Sequence, residues 1–194
     1  MLWLVLLAWL ARIVFVLLLF LSIWSVTIMI DRHRFFKAFL LPAEQFKNLI
    51  RQKNKFKLAE AVKNDSGVLG SFLQEIENFK SYEQVDKAFA VLLGEERKKL
   101  EKGLPVLGTL GSTTPFIGLL GTVLGIIVSF GELSTGSGNT NSVMFSLAEA
   151  LILTATGLLV AIPAVVAFNY FSRKVRWIIS EATSVKDLYL AYKE

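Results

Sequence analysis

Three apolar runs, at residues 13–30, 104–133 and 143–171, constrain this chain more than any other feature, because each is long enough to cross a bilayer. The first is 18 apolar or small residues, which as a helix at about 1.5 Å per residue reaches about 27 Å. Backbone polar groups in hydrocarbon must be satisfied within the segment, so the runs are read as helices. The expected fold class is an all-α membrane protein with three transmembrane helices. Spans two and three should form a long antiparallel hairpin that extends into a cytoplasmic helical bundle. A composition that is 54% hydrophobic, gathered into these runs, excludes an ordinary soluble domain.

The remaining segments follow from what separates the runs. Residues 1–12 are apolar with Trp3, Trp9 and Arg12, which suit an outer interfacial segment. Its basic residues follow the apolar stretch instead of preceding it, so it is expected to stay attached as part of the protein. Residues 31–103 are charged and read as a cytoplasmic helical domain. In that domain Leu69, Phe72, Ile76, Phe79, Val85, Phe89 and Leu92 recur at helical spacing, with breaks expected near Pro42, Asn64 to Gly67 and Ser81. Its end, GEERKKLEKG, reads as a helical stalk running into span two. Residues 134–142, STGSGNTNS, read as a periplasmic turn, and residues 172–194 as a cytoplasmic C-terminal helix with Val175, Ile178, Ile179, Ala182 and Val185 on one face.

Orientation comes from the basic residues nearest the spans. Arg32, Arg34 and Lys37, then Arg97, Lys98, Lys99 and Lys102, then Arg173, Lys174 and Arg176 all fall on one side, which places the N-terminus in the periplasm and the C-terminus in the cytoplasm. The net charge of +5 therefore reports topology, and no base-stacking or groove-reading motif makes nucleic acid an expected partner. With no cysteine and a single histidine, His33, set among arginines, neither a disulfide nor a metal site is expected. No phosphate loop or nucleophile with its base is present, so the chain is not expected to be an enzyme, and no catalytic residue or cofactor is assigned.

Chemistry concentrates in spans two and three. Gly108, Gly111, Pro115, Gly118, Thr122, Gly125, Ser129 and Glu132 alternate at spacings of three and four, which puts them on one stripe of a helix. Close packing explains the glycines Gly111, Gly118 and Gly125, and Gly157 in span three, because small residues let membrane helices approach. Thr122 and Ser129 suit a face that also meets water or an ion. In span three Glu149 is an acid inside an apolar run, which is costly and points to a cavity, a pore or a partner; a reach to the outer headgroups is the plainer alternative. Glu149 and Thr156 share a face, whereas Thr154, five residues from Glu149, lies about 140° away around an ideal helix. Pro115 and Pro163 each remove a backbone hydrogen bond and shape their helices.

At these residues the chain resembles the TolQ/ExbB branch of the MotA/TolQ/ExbB family. The similar stretches are LGTLGSTTPFIGLLGTVLGIIVSF at 107–130 and AEALILTATGLLVAIPAVVAFNYFSRKV at 148–175. The resemblance implies a subunit of an ion-driven motor of the bacterial inner membrane, with the proton as the expected ion. It further implies a homopentamer whose spans two and three line a pore around the helices of a single-span ExbD/TolR-like dimer. A TonB- or TolA-like protein and membrane lipid are the other expected partners. Thr122 and Thr154 carry over as pore-facing groups near an aspartate of the partner, with Ser129 added from the stripe; Glu149 carries over as the span-three acid. Three spans argue against the four-span flagellar branch. The competing reading is a passive scaffold whose small-residue stripes only pack helices.

Overall fold

A computed structural model of the chain describes residues 2–38, 42–65, 67–76, 81–134, 136 and 139–193. Among these residues all regular structure is helical: α1 (Leu2–Ala38), α2 (Ala43–Arg51), α3 (Lys55–Asn64), α4 (Val68–Glu75), α5 (Tyr82–Leu100), α6 (Leu104–Ser134) and α7 (Thr140–Lys193). Three of them, α1, α6 and α7, are long and apolar enough to cross a membrane. The chain divides into two compact units, residues 1–34 with 103–170 and residues 35–102 with 171–194.

The first unit contains the apolar parts of α1, α6 and α7. Val14 and Leu18 of α1 pack on Leu124 and Leu153. From α6 to α7 the contacts run in descending order: Gly108 meets Phe168, Gly111 meets Val165, Gly118 meets Leu153, Thr154 and Gly157, and Gly125 meets Ala150. Two helices of opposite direction held by small residues produce this pattern. The outer surface is apolar: Phe116 is 71% and Leu159 74% exposed, as expected of side chains whose solvent is lipid.

The second unit is organised around a core of large apolar side chains. Phe46 and Ile50 of α2, Leu69, Phe72 and Ile76, and Val85 and Phe89 of α5 form one buried cluster with Ala182 and Val185 of α7. Phe72 and Phe89 meet edge to face with centroids 4.7 Å apart, a favoured aromatic geometry. Phe79, expected in the same stripe, lies outside the described residues. Two ion pairs tie α7 to this core, Lys47 to Glu181 at 2.6 Å and Lys186 to Asp86 at 2.5 Å.

Helix ends have local causes. The Asn54 side chain accepts from the Lys57 amide and starts α3. The Asp65 carboxylate accepts from the Gly67 and Gly70 amides at the start of α4. Four boundaries differ from the sequence reading. The stalk expected to run from α5 into α6 is interrupted, because Gly103 takes φ +77°, a left-handed conformation that stops a helix and that glycine adopts without steric cost. The turn expected at 134–142 is shorter: the Asn139 side chain accepts from the Ser142 amide and begins α7 at Thr140, while residues 135, 137 and 138 lie outside the described set. Residues 2–12, read as an interfacial segment, are helical and part of α1, and residues 172–193 are not a separate helix but continue α7. Hydropathy marks where a helix would leave lipid, whereas the helix itself continues until a stop signal.

Candidate functional site

The glycine seam brings α6 and α7 close enough for backbone to touch backbone. A Cβ placed on Gly118 would lie 2.7 Å from the Leu153 carbonyl oxygen, and one on Gly157 would lie 2.6 Å from that of Thr114. Backbone cannot move aside as a flexible side chain can, so both positions require glycine for this approach. Gly125 is crowded by the Ala150 side chain at 2.6 Å.

Inside that seam sit two hydroxyls. Thr122 is buried and Thr154 half-buried, and their oxygens are hydrogen-bonded to each other. Thr122 Oγ1 is also 3.2 Å from the Gly118 carbonyl oxygen and 3.3 Å from that of Ala150, and Thr154 Oγ1 is 3.3 Å from the Gly118 carbonyl oxygen. A hydroxyl has one proton to donate and can accept two. The pair therefore distributes its protons among their mutual bond and the two carbonyls, with several arrangements of similar geometry. The cluster can exchange its hydrogen bonds by rotating its hydroxyls.

Three further hydroxyls of these helices are held locally. Ser129 is fully buried and donates to the Gly125 carbonyl at 2.8 Å, Thr114 donates to Leu110, and Thr156 to Ile152, each within its own helix. Pro115 is half-buried inside α6 and Pro163 exposed inside α7, and both helices continue through their prolines.

Glu149 does not join the threonine pair. It is exposed and lines a cavity of about 530 Å³ in the first unit, together with Ser146, Glu132 of α6 and Arg12 of α1. Arg12 also lies over the Trp9 ring, with its guanidinium carbon 5.6 Å from the centroid. The sequence reading treated Arg12 only as a boundary group. A cation just before one apolar run and a lone acid inside another are the available signal, but helical periodicity within one run cannot place residues of two runs at one level.

Residues 58–184 match the profile of the family described as the MotA/TolQ/ExbB proton channel family. The chain is 47% identical over 98 residues to the biopolymer transport protein ExbB of Xanthomonas campestris pv. campestris, covering 50% of this chain and 39% of that protein. It is 46% identical over 110 residues to the Tol-Pal system protein TolQ of Pseudomonas aeruginosa, covering 56% of this chain and 48% of that one. These alignments span less than half the length of either relative. The TolQ of Haemophilus influenzae is 35% identical over 182 residues, 84% of this chain and 80% of that protein. Because that profile covers well over half of the chain, the chain belongs to the MotA/TolQ/ExbB proton channel family.

Proposed function

We propose that this chain is the pore-forming subunit of a proton-driven rotary motor of the bacterial inner membrane. Family membership and three membrane-length helices support a multi-pass inner-membrane protein. In the proposed assembly five copies surround two single-span helices of an ExbD/TolR-like partner, and α6 and α7 face the pore. The α6 and α7 helices form a hairpin that continues into a cytoplasmic bundle. The N-terminus is periplasmic, because the basic clusters beside all three spans then lie in the cytoplasm. The partner's membrane aspartate carries the proton, and its passage past Thr122 and Thr154 is coupled to rotation that serves TonB-type uptake or Tol-type outer-membrane maintenance.

The observation that carries this reading is the hydroxyl pair. Helix packing requires glycines at 118 and 157 but does not require two hydroxyls meeting between them. Glu149, on the separate cavity, acts at an outer vestibule or a subunit contact. Partner-dependent proton flux in vesicles tests the assignment: Thr154→Ala and Glu149→Ala should each lower it, and wild-type flux from both would defeat the assignment. The rival reading, a scaffold that conducts no ion, draws on the in-helix hydrogen bonds of Ser129, Thr114 and Thr156, because hydroxyls in these helices can be satisfied by the preceding turn alone. It expects Thr122→Val to be tolerated.

A further inference from the structure

Between α2 and α3 the chain reads RQKNKFK, residues 51–57, which is four basic residues and no acid around one phenylalanine. The turn is fixed by the backbone: Lys53 takes φ +54°, its amide donates to the Ile50 carbonyl at 3.0 Å, and the Asn54 amide donates back to the Leu49 carbonyl at 3.3 Å. Glycine adopts this left-handed position most readily, so the lysine stands there at a conformational cost. Its ammonium lies 5.9 Å from the centroid of the Tyr192 ring near the end of α7. Phe56, in the first turn of α3, is 81% exposed, although other phenylalanines of the unit are buried in its core. Elsewhere in the unit Lys47, Lys87, Arg97, Lys99 and Lys186 each pair with a carboxylate. Among the described residues Arg51, Lys53 and Lys57 have no such partner, and all three are exposed. An exposed ring amid uncompensated positive charge offers a partner one apolar anchor and a set of rim charges.

We propose that this turn docks a short acidic segment of another protein, one of whose apolar side chains covers Phe56. The motor reading does not use it, since every residue given a role in the ion path lies in the membrane-spanning parts of α6 and α7. Charge complementarity selects the sign of the occupant, and two observations select its class. Along α7, Tyr192 lies about 30 Å beyond Phe171, the expected inner end of span three, at about 1.5 Å per residue. That is several times the screening length of about 8 Å at physiological salt, so headgroups beside that span do not supply the anion. A nucleic-acid strand is held by successive bases stacked on aromatic rings. In this turn one face of Tyr192 is already covered by Lys53, which leaves Phe56 to stack alone. An acidic segment with a single apolar anchor matches what the turn presents.

Fluorescence anisotropy with the full-length protein, held as its oligomer in phosphatidylcholine nanodiscs, tests this with a labelled peptide, Glu-Glu-Leu-Phe-Glu-Asp. The comparison probes are the same peptide with glutamine and asparagine for its acids, the same peptide with serine for leucine and phenylalanine, a labelled oligothymidine, and labelled vesicles containing phosphatidylglycerol. The acidic peptide should bind about tenfold tighter than either altered peptide at low salt. It should lose most of its advantage over the uncharged peptide near 1 M salt, where screening shortens to about 3 Å. Phe56→Ser should weaken binding about tenfold. Lys53→Gly relieves the backbone while removing an ammonium, so it should leave thermal stability equal or higher yet weaken binding about threefold, a split that misfolding cannot produce. Val91→Ser, at another exposed apolar residue of the unit, should leave binding unchanged. Equal binding of the uncharged peptide, unchanged binding in Phe56→Ser, or tighter binding of oligothymidine or of the vesicles than of the acidic peptide would overturn the proposal. So would a wild-type oligomer that binds no peptide because a neighbouring copy covers the turn. Peptide binding is read without any ion flux, so this result and the motor reading stand or fall separately.

Discussion

The two units of this chain solve the packing problem in opposite ways. In the second unit large side chains do the work: Phe46, Phe72 and Ile76 are fully buried, and the hydrophobic effect rewards their removal from water. In the first unit backbone meets backbone where side chains are absent, at Gly118 and Gly157, because lipid tails give apolar side chains no reason to leave them. Polar groups divide less sharply. The second unit buries an ammonium, Lys186, with exposed carboxylate partners, and the first buries the Arg32 guanidinium beside exposed Asp31 in the same way; the hydroxyls of Thr114, Thr122 and Ser129, by contrast, bond to carbonyls of their own or a facing helix. The lesson is that the surrounding solvent, more than the helical fold, sets which residues hold helices together.

The comparison can be broken at several points. Phe72→Ala should have the largest effect, destabilising the second unit by about 3–5 kcal/mol as expected for a phenylalanine removed from a full core. Thermal unfolding of the full-length protein followed by circular dichroism would show it. Gly157→Ala should cost about 1–3 kcal/mol through overpacking against backbone. Its signature should be weaker α6–α7 association, visible as a loss of cross-linking between cysteines placed at Gly108 and Phe168. A glycine seam that accepted alanine without loss would show that the two units do not differ as described.

Lys186 provides a smaller, pH-dependent test. Burial works against its ammonium, but hydrogen bonds to Asp86 and Asp187 and their charges outweigh it and hold the pKa above the ordinary 10.5. A pKa raised in the folded state contributes stability that is fully present below 10.5 and is lost as pH rises through the higher folded value. Asp86 is half exposed, so the contribution is about 1 kcal/mol at most. Asp86→Asn should therefore lower the melting temperature at pH 8 slightly and flatten its decline above pH ~10.5. Smallest of all, Gly94→Ala in α5 should stabilise by up to about 1 kcal/mol, since a Cβ there meets nothing within 4 Å and alanine is the better helix former. The same substitution is thus expected to have opposite signs at Gly94 and Gly157.

Local periodicity carried much of this architecture. The spacing of Leu69, Phe72, Ile76, Val85 and Phe89 identified residues that are buried together, and the alternation of threes and fours along α6 selected the glycines that meet α7. What periodicity could not supply was anything relating two distant segments. Lys186 with Asp86, Lys47 with Glu181, and Arg12 beside Glu149 are separated by most of the chain. Thr122 and Thr154 were paired only by family resemblance, because a helical wheel orders residues around one axis and says nothing of the depth at which two helices meet. The stalk into α6 was misread for a different reason: charged helix-forming residues up to Lys102 suggest continuation, and a single left-handed glycine overrides them.

The central claim is that the Thr122–Thr154 pair serves ion passage and not packing alone. Partner-dependent proton flux should be measured in vesicles containing wild type, Thr122→Val and Thr122→Ser at matched amounts of assembled complex. Valine keeps the shape and removes the hydroxyl, whereas serine keeps the hydroxyl and removes a methyl. The account predicts that Thr122→Val loses about tenfold or more of the flux, the order expected when a positioned polar group is removed from a transfer path, while Thr122→Ser retains most of it. Wild-type flux from Thr122→Val, with the complex intact, would contradict it.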